Sequence, residues 1–442
     1  MTKEQILAAV EEQQIRFIDL WFTDIMGMVK SVTIPSAALE SALTNGTHFD
    51  GSAIEGFARV AESDMRLIPD PNTFVVLPWD DADERTARLI CTVHTLHGEP
   101  FIGDPRYALV KVLRQAEEMG FTYQTGVELE FFLFRVGDGK ALLPLKVLDQ
   151  SGYFDMSSSP AKGVLRRMVT MLTSMGIVVD STHHENGAGQ HEIDLEYDHA
   201  LAMADKVLTA RVALKTVASA HNLHCTFMPR PSSSLPGSGM HTHQSLHTTD
   251  GSNVFMDPGN EYGLSQTARY FLAGQLAHAR AMCAILSPLV NSYKRLGTSF
   301  EAPVYVTWAH INRGALIRVP HISAGKEAHT RLELRCPDPS SNPYLASAVM
   351  LAAGLDGIRQ QMPLPDAVEE SLLRQDRNRL RHLEVLPTSL GEALETLGQN
   401  DVILSALGQF ISDRYMTAKR QEFDEYNRQI TAWELDRYIN QY

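Results

Sequence analysis

The chain has 442 residues, 44% of them apolar and 21% charged, with a formal net charge of −14. That composition describes a folded protein of two to three domains at ~150 residues each and excludes a disordered chain. The acidic balance excludes a general electrostatic footprint for nucleic acid or anionic lipid, while leaving room for a local basic pocket that holds a phosphorylated ligand.

No stretch reaches the ~18 apolar residues of a membrane span. Met1 to Gln14 is acidic, with apolar Ile6, Leu7, Ala8 and Val10, which predicts an amphipathic helix rather than a signal peptide. The four cysteines, Cys91, Cys225, Cys283 and Cys336, are far apart and form no CxxC pair. They read as reduced thiols in a cytoplasmic protein that neither binds nucleic acid nor enters a membrane.

Arg16 to Asp24 and Met28 to Ile34 flank Gly27 as a strand hairpin, followed by a helix over Pro35 to Leu43. Thr73 to Trp79 and Ala87 to Val93 predict further strands. These elements make a small, mostly β domain over residues 1–100, closed by the Pro-rich segment Gly98 to Pro105. Residues 105–442 mix the two classes. Helices are predicted over Arg106 to Met119, Ala161 to Met175, Asp198 to Ala220, Ser265 to Leu286 and Asn342 to Gln360. Strands are predicted over Gly126 to Arg135 and Ile177 to His184. Pro229 to Gly239, rich in Pro, Ser and Gly, is long enough to be a functional loop.

The informative feature is charge inside apolar strands. In Gly126-Val127-Glu128-Leu129-Glu130-Phe131-Phe132 the two glutamates share one face. Two adjacent buried carboxylates repel unless a divalent cation compensates them. His183-His184-Glu185-Asn186-Gly187-Ala188-Gly189-Gln190-His191-Glu192 predicts a hairpin that brings Glu185 to Glu192; the plain alternative is a polar surface turn. His241 and His243 share a strand face after Gly237-Ser238-Gly239. Arg331, Glu333 and Arg335 share another, either as an ion-pair ladder or as a glutamate on metal beside arginines on phosphate. Arg295, Arg313 and Arg318 lie in a loop-rich stretch that suits an anionic substrate. Five glutamates with one or two histidines make a mostly oxygen donor set, suited to Mg²⁺ or Mn²⁺. Without a GxxxxGK[ST] or kinase-type loop, phosphoryl transfer from a nucleotide bound some other way fits these residues best.

In this order these segments resemble the glutamine synthetase family, its bacterial type I branch in particular. The likeness runs through Phe49-Asp50-Gly51-Ser52, Glu128-x-Glu130, His184 to Glu192, Gly237 to His241, Asn291 to Leu296, Glu301-Ala302-Pro303, Asn312-Arg313, Arg331 to Arg335, Asp338 to Leu345 and Trp433 to Tyr442. The resemblance implies an α+β protein: an N-terminal β-grasp domain plus a large catalytic domain with a curved antiparallel sheet and flanking helices. It implies a homododecamer of two stacked hexameric rings with active sites between subunits. It also implies ATP-dependent ligation of ammonium to the γ-carboxylate of L-glutamate through γ-glutamyl phosphate.

Carried over by motif, Glu130, Glu185 and Glu192 would hold one Mg²⁺ or Mn²⁺, and Glu128, His241 and Glu333 a second. His243, Ser245, Arg313, Arg318 and Arg331 would serve ATP. Arg295, Arg335, Gly237, Glu130 and Glu301 would serve glutamate. Asp50 of a neighbouring subunit and Glu301 would bind and deprotonate ammonium, with Arg313 assisting, and Arg59 would be a regulatory position.

The sequence departs from the family pattern at Pro236, Ala53, Gly297 and Gly314, all toward the amino-acid and amine end. A ligase that joins glutamate to an organic amine is therefore the second reading. A non-catalytic ring-forming homologue is the third, disfavoured because every expected metal ligand is present. His382 to Pro387 holds no tyrosine, which sets aside the branch regulated by adenylylation.

Overall fold

The computed structural model describes residues 1–51, 64–80, 82–137, 145–156, 159–296, 302–370, 380 and 382–442. Glu301 and Arg59 lie outside the described residues, as do Ala53 and Gly297.

The N-terminal part is a mixed sheet of β1 (Phe17–Thr23), β2 (Val29–Pro35), β3 (Thr47–Asp50), β4 (Asp64–Pro69), β5 (Val75–Val76) and β6 (Thr86–Thr95). Its order is β2-β1-β6-β4-β3, with β5 added to β6. The β1–β2 hairpin is antiparallel as predicted, whereas β1 and β6 run parallel. The first helix, Lys3–Glu12, opens on a Thr2/Gln5 capping box and buries Ile6 and Val10 against Ile18, Leu20, Leu67 and Leu89. The predicted strand over Thr73 to Trp79 shrinks to β5, because Asp70 caps a tight 3₁₀ turn at Pro71–Thr73. The predicted Pro35 to Leu43 helix starts as a 3₁₀ turn, Ser36–Ala38, and becomes α-helical over Leu39–Asn45.

The second sheet holds β7 (Phe121–Arg135), β8 (Lys146–Val147), β9 (Val179–His184), β10 (Gln190–His199), β11 (Leu223–Thr226), β12 (Met240–Thr248), β13 (Trp308–Ala309), β14 (Ile317–Arg318) and β15 (Leu332–Leu334). The order is β13-β14-β15-β12-β7-β10-β9, and all pairs but β13–β14 are antiparallel. The fold class is thus α+β, as expected. β7 is central and begins five residues earlier than Gly126, since its first turns pair with the end of β12. One face of this sheet is apolar: Val127, Leu129, Phe131, Ile193 and Leu195 pack on helices Ser159–Ser174 and Ala200–Ala220.

The single helix predicted over Ser265 to Leu286 is two, Gln266–Ala277 and Ala279–Leu286, broken at His278, whose ring is held by Asp356 and Asn400. Helix Pro343–Gln360 starts as predicted, with Asn342 as cap and Pro343 at the first position, and is buried along nearly its whole length. Gly274 and Gly357 let it cross Gln266–Ala277 closely: a Cβ on Gly274 would sit 2.2 Å from the Ala353 carbonyl. A buried ion-pair set ties the two sheets together. Arg106 donates to both Asp205 oxygens at 2.9 and 3.1 Å and to Asp70 at 2.8 Å, and Arg88 donates to Thr209 at 3.0 Å. All four cysteines are buried and free. Among the described residues no helix is long and apolar enough to cross a membrane.

Candidate active site

Strand register explains how distant motifs meet. On the face of the second sheet opposite the apolar one, three successive cross-strand rows carry the polar residues. Arg318, Glu333, His243 and Gly126 form the first row. His241, Glu128, Asp194 and Ser181 form the second, and Glu130, Glu192 and His183 the third. The two-residue periods of Glu128/Glu130 on β7 and His241/His243 on β12 are what align these rows.

Around the first two rows, one ligand atom each from Glu128, His241 and Glu333 lies within a 4.8 Å cluster. Glu128 Oε2 is 2.8 Å from His241 Nδ1 and its Oε1 is 2.6 Å from His243 Nε2. His243 Nδ1 in turn accepts from Arg331 Nε at 3.3 Å. Glu333, 1% exposed, accepts from Arg318 Nε at 2.6 Å and from Arg335 Nη1. Burial alone would raise both carboxyls. The histidine contacts hold Glu128 far below the usual range, and Arg335 with the two histidines holds Glu333 at about 2.

Around the third row the balance reverses. His183, Glu185 and Glu192 offer ligand atoms within a second 4.8 Å cluster. The β9–β10 turn closes as predicted, with Glu185 N donating to Gln190 O at 2.9 Å. His183 Nε2 lies 3.0 Å from Glu185 and 3.7 Å from Glu192. Burial, and then repulsion from Glu130, Glu128, Asp194 and Glu185, pushes the Glu192 carboxyl far upward. Burial and Glu185 push Glu130 up to about 8, although Arg295 lies nearby. Carboxylates this crowded and this short of cations suit a divalent ion with oxygen ligands. The sets Glu128/His241/Glu333 and His183/Glu185/Glu192, with Glu130 opposite Glu192 on β7, could each hold Mg²⁺ or Mn²⁺.

Two cavities flank the rows. One, of about 280 Å³, is lined by Glu130, Glu185, Gln190, Pro236, Gly237 and Arg295, among others. Arg295, 4% exposed, crosses its wall and donates to the carbonyls of Cys336 (2.9 Å), Pro337 (3.2 Å) and Arg335 (3.0 Å). Gly239 leaves this space open: a Cβ there would lie 2.7 Å from Arg295 Nη2 and 3.0 Å from both Glu130 Oε1 and His241 Nε2. The other cavity, of about 550 Å³, is lined by Glu128, His243, Ser245, Tyr197, His321 and Arg331, among others.

Several expected residues have partners within the chain. Arg335, expected beside Arg295 on one carboxylate, accepts at its carbonyl from Arg295 Nη2 at 3.0 Å while its side chain pairs with Glu333. Arg318 likewise turns to Glu333, so the Arg331 to Arg335 segment is partly the ion-pair ladder that its spacing allowed. Ser245 engages His247 at 3.0 Å. Arg313 is exposed and bonds Tyr153. Asp50 ends β3 in the other sheet, exposed.

Three residues escaped the sequence reading. His183 sits two residues before Glu185, opposite Glu192, so the period of two was its signal. Gln190 donates to Glu130 at 3.0 Å and to Gly237 O at 2.9 Å, bridging two motifs that nothing local connects. Tyr153, with Phe154, packs on His183 from a segment with no strand or helix pattern.

Residues 102–438 match the family described as glutamine synthetase, catalytic domain, and residues 14–96 match glutamine synthetase, beta-Grasp domain. The chain is 46% identical to the glutamine synthetase of Halobacterium salinarum over 99% of its length and 96% of that protein's. It is 46% identical to the glutamine synthetase of Thermotoga maritima, covering 99% of this chain and 100% of the other. The solved structure of apo GmaS without ligand superposes with a TM-score of 0.89 at 33% identity, over 98% of this chain and 99% of that one. GmaS in complex with ADP superposes at 0.87, with the same identity and coverage.

Proposed function

The chain belongs to the glutamine synthetase family, ATP-dependent ligases that form glutamine, and from that premise we propose how its residues divide the reaction. The observation that carries the reading is the polar sheet face, where Glu128, Glu130, Glu192, His241 and Glu333 lie in three adjoining rows, with Glu185 just past the end of β9, between two cavities.

Glu130, Glu185 and Glu192, with His183, hold one divalent ion; Glu128, His241 and Glu333 hold a second. Mg²⁺ or Mn²⁺ so bound supplies charge neutralisation for the cleft and for the phosphoryl group in transfer. ATP occupies the larger cavity, along His243 and Ser245, with Arg331, Arg318 and Arg313 toward its phosphates. Glutamate occupies the smaller cavity, with its α-carboxylate at Arg295 and Arg335 and its amino group by Glu130 and Gly237. A carboxylate is a poor electrophile, so phosphorylation at the γ-position activates it, and the positive groups offset the charge that develops. Ammonium attacks only after losing a proton, which Asp50 of a neighbouring subunit and Glu301 accept. Tyr153, held by Arg313 and close to Glu185, borders the His183/Glu185/Glu192 set.

The same reading takes residues 1–100 and 105–442 as two domains joined by the Arg106–Asp70 and Arg88–Thr209 contacts. It places the protein in the cytoplasm as stacked hexameric rings, and assigns regulation to Arg59. The exposed position of Asp50 supports a shared site.

The test is an ATP-turnover panel at fixed glutamate with ammonium, methylamine, ethanolamine, a polyamine and an aromatic amine. Ammonium is expected to give the highest kcat/KM. An organic amine better by more than about tenfold, or ~1.4 kcal/mol of transition-state preference, would replace ammonium as the acceptor.

A further inference from the structure

The apolar face of the second sheet carries a buried pair of histidines. β9 and β10 pair His184 with His191 directly behind the His183–Glu192 pair, so consecutive residues point to opposite faces. His184 and His191 are 2% and 0% exposed. Their rings meet edge-on at 4.7 Å, and His191 also lies 6.0 Å from the Phe131 ring. Asp149, just beyond β8, reaches the same spot, and one ligand atom each from Asp149, His184 and His191 fits within 4.8 Å.

The hydrogen bonds of this set are incomplete in a particular way. Neither ring nitrogen of His191 has a partner, nor does Asp149 Oδ2. A buried polar group left so costs free energy unless something else satisfies it. His184 Nδ1 lies 2.7 Å from its own neighbour's carbonyl, Glu185 O, a contact that orients the ring and turns its Nε2 toward Asp149. That Nε2 is 2.8 Å from Asp149 Oδ1. Gly189 N at 3.2 Å and Ser151 N at 3.3 Å donate to Oδ1 and orient the carboxylate.

We propose that Asp149, His184 and His191 form a third metal site, for a divalent transition-metal ion of the Zn²⁺ class, separate from the two oxygen-rich sets. Two imidazoles with one carboxylate are the donor set such ions prefer, whereas Mg²⁺ favours oxygen ligands. The site lies in the core rather than in a cleft, so its role is structural. His184 precedes Glu185 and His191 precedes Glu192, so the ion fixes the hairpin that presents both carboxylates. The assignment does not rest on which amine the enzyme uses.

The test uses the full-length protein in saturating Mg²⁺, which occupies the oxygen-rich sets. Co²⁺ is titrated by its visible absorption, Zn²⁺ competes it away, and metal per chain is measured after gel filtration. Wild type and Glu192→Gln are expected to keep one transition-metal ion per chain and to gain thermal stability from Zn²⁺. His191→Phe and Asp149→Asn are expected to lose affinity by more than the ~10–100-fold that removal of an outer-shell partner costs, and to gain no stability from Zn²⁺. A wild-type protein that retains no transition-metal ion overturns the proposal, whether or not the variants fold. So does an ion that Glu192→Gln loses and His191→Phe keeps.

Discussion

Glu333 and Glu192 lie on the same face of one sheet, and their surroundings treat them oppositely. Glu333 is held by Arg318 and Arg335, with His241 and His243 beside it, and stays charged at about 2. Glu192 stands among Glu130, Glu185, Glu128 and Asp194, with the His183 ring 3.7 Å away, and its carboxyl is driven upward. The first region is balanced by the chain itself. The second is not, and in the proposed reading a divalent ion supplies the balance. A buried carboxylate therefore says little alone; the cations within reach decide how much charge is left for a bound ion to neutralise.

The largest expected effect comes from the unbalanced region. Glu192→Gln removes a ligand charge with little change of shape. It should lower kcat by at least about 10³-fold, equivalent to ~4 kcal/mol, while the metal-free fold is kept or gains stability as repulsion falls. Steady-state turnover and a thermal melt in chelator check both halves. Near-normal turnover in saturating Mg²⁺ would remove Glu192 from the ligand set.

Glu333→Gln strikes the balanced region and should behave in the opposite sense. It strands Arg335 and Arg318, the first of which is 6% exposed, without their shared partner. Breaking such a pair costs about 3–5 kcal/mol, so this variant should unfold at lower denaturant even without metal. If Glu333→Gln and Glu192→Gln shift the metal-free stability alike, the contrast between the regions fails.

Much of this site was legible in the sequence, because side-chain alternation is a local rule. Glutamates at 128 and 130 inside an apolar strand, histidines at 241 and 243, and the glycine-rich turn before Glu192 each mark one face of one strand. The pairing of those strands was not legible. Which arginine meets Glu333 depends on β14, a two-residue strand 15 positions away with no pattern of its own. The same holds for Gln190, whose two partners come from β7 and from the loop before β12. In the fold, helices with clean caps fell where expected. The break at His278 did not, since the partners that hold it, Asp356 and Asn400, are remote in sequence.

The most direct measurement of the contrast is proton release on Mn²⁺ binding across pH. In the metal-free protein Glu130 is raised from 4.5 to about 8 and Glu192 is raised as well. The contribution of Glu130 to stability is then complete below about 4.5 and is lost as pH rises through about 8, because the folded state holds the extra proton. Glu333, lowered from 4.5 to about 2, has the reverse sign: its contribution is present above 4.5 and is lost as pH falls through about 2. Calorimetric Mn²⁺ titrations in buffers of different ionisation enthalpy should show about one or more protons released per ion near pH 7. Affinity should rise from pH 6 to 8, and Glu192→Gln should reduce the release. Affinity that stays flat over that range, with no dependence on the buffer, would contradict the account.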